Sequence, residues 1–86
     1  MAIERSGTRI AVIAIIVDDM DEVGRLNATL HEYSGFIIGR MGLPYREKDT
    51  HIISVAVDAP EPVISALSGK LGMIEGVTSR TVYGKA

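Results

Sequence analysis

The residues of this chain with the means to do chemistry are few. They are His31 and His51, an arginine set between glycines in Gly39-Arg40-Met41-Gly42, and a run of carboxylates at Asp18, Asp19, Asp21 and Glu22. Nucleophilic catalysis needs a histidine oriented beside a hydroxyl at the end of a formed pocket, and the spacing of neither histidine suggests one. The chain has no cysteine, which removes thiolate nucleophiles, disulfides, iron–sulfur ligation and cysteine metal sites together. His31 and His51 also lack the paired spacing of an intramolecular metal site, so as metal ligands they are weak candidates. What stays open is a site completed across a symmetric interface, with His51 supplied by two or more subunits. Arg40 is different. Its planar fork suits a carboxylate or phosphate, and Gly39 and Gly42 allow backbone N–H groups to approach a ligand. With Tyr45 and His51 close behind, Gly39, Arg40, Gly42, Tyr45 and His51 make the expected effector or interface region. A surface ion pair between Arg40 and Glu47 or Asp49 is the plainer alternative.

The elements that position these residues can be read in turn. Ile10 to Val17 is apolar on both alternating sides and mostly β-branched, as in a central strand. The carboxylates that follow supply acceptors for free N–H groups, with Asp19 and Glu22 at capping-box spacing. Val23, Leu26, Leu30 and Tyr33 then recur at helical spacing, predicting a helix over 20–34 ended by a left-handed Gly35. The apolar stretch 35–43 reads as a strand, and its two glycines mark a bulge or a close approach. A charged link over 44–49 is too short for a helical crossover and predicts a hairpin. His51 to Val57 is a third strand with Ile53, Val55 and Val57 on its better core face. Asp58 to Glu61 repeats the capping pattern, with Pro60 tolerated in a first turn. Val63, Ile64, Leu67 and Leu71 make a second helical stripe closing near Gly72. A last, more polar strand covers 76–83, between which and the end lies a tail, 84–86.

The two halves overlay, Ile13 on Ile53, Val17 on Val57, Asp18 on Asp58 and Val23 on Val63. Two strand-helix-strand units give βαββαβ. The expected fold is therefore α+β and ferredoxin-like, a four-stranded antiparallel sheet with two helices on one face and the first and third strands in the middle. The other face has no cover. Because the first strand is apolar on both sides, either Ile10, Val12 and Ile16 or Ala11, Ile13, Ile15 and Val17 must form a bare aliphatic patch, which predicts a homo-oligomer, dimer or tetramer.

The 86 residues predict a single domain with a flexible arm over 1–8, burying about 60–65% of its unfolded surface. A net charge of −2 with scattered basic residues disfavours direct binding of nucleic acid. The central strands also lack the aromatic residues on which RNA-recognition modules of this fold stack bases. The loop after the first strand is acidic where an acylphosphatase would cradle phosphate, and it has no C-x-x-C of a metal chaperone. No apolar run approaches the about 20 residues of a membrane span. A cytoplasmic protein without cofactor, and not an enzyme, is expected.

The stretches RIAVIAIIVDD, LHEYSGFIIGRMGLPYREKDTHIISVAVDAP and ISALSGKLGMIEGV resemble the iron-only (FeFe) hydrogenase system regulator family over residues 8–83. The most specific part is His31-Glu-Tyr33 with Gly39-Arg-Met-Gly-Leu-Pro-Tyr45. That resemblance implies an ACT-like sandwich, oligomerisation and a regulatory rather than catalytic role; a small-molecule effector or a protein partner bound near the subunit interface is the expected means. The architecture is also similar to the C-terminal metal-sensing domain of nickel-responsive repressors, whose His and Cys ligand pattern this chain lacks. A ribbon-helix-helix segment is not expected with it, so transcriptional control is expected to require a separate DNA-binding partner. A module from another class, recruiting an enzyme subunit by strand addition to a sheet edge, fits the same elements.

Overall fold

The computed structural model describes residues 7–85, so the arm expected over 1–8 lies outside the described residues except for Gly7 and Thr8. Four strands, β1 (Arg9–Val17), β2 (Ile37–Tyr45), β3 (Thr50–Ala59) and β4 (Val77–Tyr83), and two helices, α1 (Val23–Glu32) and α2 (Glu61–Gly72), alternate as β1-α1-β2-β3-α2-β4. The sheet runs in the order β2-β3-β1-β4 with every pair antiparallel, so the two most apolar strands are central as expected. Strand alternation then decides what is buried. Ala11, Ile13, Ile15 and Val17 of β1 and Ile53, Val55, Val57 and Ala59 of β3 turn toward the helices. There they meet Leu26 and Leu30 of α1, Ile64, Leu67 and Leu71 of α2, and Ile74. Each of these larger side chains contributes about 1.5–3 kcal/mol by leaving water.

Several boundaries differ from those the sequence predicts, each for a local reason. The helix expected over 20–34 is α only from Val23 to Glu32, between single 3-10 turns at Met20–Glu22 and Ser34–Phe36. Asp19 Oδ1 accepts from the Asp21 N–H at 3.1 Å, while Glu22 gives no reciprocal bond and instead sits 3.7 Å from the Arg25 guanidinium. The capping box is thus half formed. At the other end of α1 the Tyr33 N–H reaches the carbonyls of Leu30 and His31, so no left-handed Gly35 is required and β2 begins at Ile37 instead of Gly35. Pro44 lies inside β2, which is tolerated because an edge strand need not donate on its outer side. The hairpin link contracts to residues 46–49, where Asp49 takes the left-handed conformation (φ 53°) that aspartate tolerates.

Asp58 does not occupy the N-cap position: it lies in β3 opposite Ile10, and α2 starts from Pro60, whose carbonyl receives the N–H groups of Val63 and Ile64. Gly76, expected to open the last strand, instead precedes it at φ +76° and accepts the Asp18 N–H at 2.7 Å. A Cβ at Gly76 would stand 2.6 Å from the Cβ of Asp19. Nor is Gly84 part of a free tail, since its N–H bonds to the Ile10 carbonyl at 2.8 Å.

Candidate functional site

Two surfaces carry the residues of interest, and β2 divides them. Its register against β3 shifts between Ile37, opposite Val57, and Gly39, opposite Ala56, so Ile38 is an extra residue in a β-bulge. Because side chains alternate, that one residue exchanges the two sides of the rest of the strand. Beyond it, Arg40 stands opposite Val55, Gly42 opposite Ile53 and Pro44 opposite His51, all on the helix side. Gly39, Met41, Leu43 and Tyr45 stand opposite Ala56, Ser54, Ile52 and Thr50 on the open side. The five residues singled out in the sequence are therefore not one constellation: Arg40, Gly42 and His51 share the covered side, whereas Gly39 and Tyr45 belong to the open one.

On the helix side, β2 and α1 enclose an open groove of about 240 Å³ lined by Asn27, Leu30, His31, Ser34, Ile37 and Arg40. Arg40 Nη2 donates to Asn27 Oδ1 at 2.8 Å, reaching from the strand to the helix. Neither Glu47 nor Asp49 is its partner, because both lie in the hairpin link while the side chain crosses to α1. Asn27 and His31 are four residues apart on α1 and so share a face. This spacing was visible in the sequence, yet without the bulge nothing indicated that Arg40 would join them. Just past His31, Glu32 turns to α2 and pairs with Lys70 at 3.5 Å. Lys70 also lies over the Tyr33 ring, and the hydrogen bond and charge of Tyr33, then Glu32, raise its pKa above the ordinary lysine value.

His51 is half-buried, with Nδ1 shielded from solvent and unpartnered. Its Nε2 would be 3.9 Å from a Cβ placed on Gly42, so the glycine keeps the space beside the imidazole open. Among the described residues no group of three or more histidines and carboxylates is arranged to hold a metal ion, and His31 and His51 do not come together in one.

The open side is a different surface. Ile10, Val12 and Ile16 of β1 are 50%, 41% and 44% exposed, and Ile52, Leu43, Met41 and Val82 of the flanking strands are exposed with them. In register these form rows across all four strands, such as Thr78-Ile16-Ile52-Leu43 and Val82-Val12-Ala56-Gly39. Arg80, beside Ala14, places a cation in this field.

The profile of a family described as "TM1266-like: Iron-only hydrogenase system regulator, putative" matches residues 9–81. Among solved structures, the uncharacterized protein TM1266 from Thermotoga maritima is 38% identical with a TM-score of 0.87, over 91% of this chain and 99% of that one. The C-terminal domain of the MgtC protein from Mycobacterium tuberculosis shares the fold at 14% identity and a TM-score of 0.71, over 92% and 90% of the two chains. A formyltetrahydrofolate deformylase from Pseudomonas putida shares it at 11% identity and a TM-score of 0.62, over 85% of this chain but 28% of the enzyme. No curated protein matches the chain significantly.

Proposed function

The chain belongs to the iron-only hydrogenase system regulator family, and from that premise we propose that it is a non-catalytic regulatory subunit of the cytoplasm. It works as a homo-oligomer, a dimer or tetramer joined through the open face of its sheet, with a small effector or a protein partner bound near the joint. The observation that carries this reading is the aliphatic row structure of that face. Ile10, Val12, Ile16, Ile52, Leu43 and Met41 stand in water about half exposed or more. Withdrawing the wetted half of such a side chain is worth about 1 kcal/mol, and continuous apolar patches of this kind mark interaction surfaces. Among the described residues no helix is long and apolar enough to cross a membrane, so no bilayer-spanning helix accounts for the apolar excess.

The test is sedimentation of the wild-type chain beside a Val12→Glu/Ile52→Glu variant. A dimer or larger species is expected at micromolar concentration for the wild type, and a folded monomer for the variant. A wild type that sediments as a monomer, or a variant that assembles unchanged, contradicts the proposal.

A further inference from the structure

We propose that the groove between α1 and β2 is a binding site for a small organic carboxylate, held by Arg40 at one end with its apolar body against Ile37. The inference rests on the regulatory reading above, gives the effector a chemical class, and departs from that reading on place: the effector sits on the helix side of the sheet, away from the assembly face.

Four features support it. Arg40 is pinned by a neutral partner: its Nη2 is spent on Asn27, which fixes the plane of the guanidinium without cancelling its charge. An arginine held this way keeps its remaining N–H groups available for the two oxygens of a carboxylate. By contrast, Arg9 and Arg25 are engaged by Glu61 and Glu22. Next, the acidic residue closest in sequence to the groove wall, Glu32, is drawn off to Lys70 on α2. Third, the lining is amphipathic in the manner of small-ligand sites. The half-buried Ile37 supplies apolar surface over Leu30, which is itself sealed in the core, and Asn27, His31, Ser34 and Arg40 supply polar groups. Last, the volume of about 240 Å³ suits a short-chain acid and not a polymer.

The C-terminal end of α1 works against an anion here, because a helix terminus carries about half a negative charge. That charge is spread over the last turn, and the carbonyls of Leu30 and His31 already receive the Tyr33 N–H. Arg40 presents a whole charge at one point. The larger and more local effect decides the sign in favour of the anion.

The experiment is an amide and side-chain NMR titration of the full chain with acetate, butyrate and inorganic phosphate at constant ionic strength. Butyrate is expected to saturate, shifting the Asn27 side-chain amide and the backbone signals of His31, Ser34 and Arg40, and to bind more tightly than acetate because of its apolar body. Arg40→Gln should weaken binding about tenfold or more, and Asn27→Ala should weaken it less, both at unchanged assembly and fold. Three results would overturn the proposal: shifts that do not saturate, shifts of equal size in Arg40→Gln, or tighter binding of phosphate than of butyrate. Assembly is read separately by sedimentation, so a failed titration with an intact oligomer removes the carboxylate site alone.

Discussion

The two faces of β1 are built from nearly the same side chains and live in different environments. Ile13 and Ile15 are sealed beneath the helices at 0% and 1% exposure, while Ile10 and Ile16, on the same strand, are about half in water. Nothing in the chemistry of isoleucine separates them. The separation comes from connection: a βαββαβ chain has two crossovers, both right-handed, and both helices fall on one side. The other side keeps its aliphatic surface uncovered by either helix. β2 sharpens the contrast, since its bulge sends Met41 and Leu43 outward and turns the charged Arg40 toward the helices.

The largest expected effect comes from cutting the covered face. Ile13→Ala should cost about 2–5 kcal/mol, since the fully buried site cannot collapse around the loss. Val12→Ala, one residue away, should cost less than about 1 kcal/mol in protomers diluted until they no longer associate. Urea denaturation of both variants checks the difference, and equal costs would erase the distinction between the faces. A smaller effect is expected at the end of β1, where Gly76 fits beside Asp19 only because it lacks a side chain. Gly76→Ala should destabilise by about 1–3 kcal/mol through its positive φ and the contact with Asp19. Thermal unfolding measures it, and an unchanged midpoint would mean that the β1 exit relaxes freely.

The smallest effect belongs to Lys70, on the solvent side of the helices. Its pKa is raised in the folded chain, chiefly by Tyr33 and then Glu32, so its contribution is fully present below the ordinary lysine value of 10.5 and is lost as pH rises through the higher folded value. Because Lys70 lies on the surface, where solvent screens its partners, the gap in stability between wild type and Lys70→Met should be slight at neutral pH and close in strong alkali. A gap that widened there would reverse the assigned sign.

How much of this was legible follows the same division. The βαββαβ order, the central position of β1 and β3 and the helical stripes are written in β-branched runs and three-to-four spacing, which depend on local chemistry. Periodicity also shows that β1 has two apolar faces. It cannot say which one the helices choose, because either parity satisfies the pattern. The bulge at Ile38 was foreshadowed by Gly39 and Gly42, but its consequence was not. Shifting the register by one residue moved Gly39 and Tyr45 away from Arg40, Gly42 and His51, and brought Arg40 to Asn27, thirteen residues earlier in the chain. Asp58 misled for a related reason: a carboxylate before a helix is a common cap, yet the antiparallel pairing with Ile10 carried β3 past it.

The central claim, that the open face is where one copy meets another, is tested most directly by labelling both sides of the protomer in the same way. The chain has no cysteine of its own, so Ala14→Cys at the middle of the open face and Ala28→Cys on the outer surface of α1 each give a single attachment point for a nitroxide. Sheets packed face to face lie about 10 Å apart, so labels at position 14 should broaden one another strongly at micromolar concentration, with the broadening lost on dilution with unlabelled chain, while labels at position 28 should not. Sharp spectra from position 14, or stronger coupling from position 28, would contradict the account.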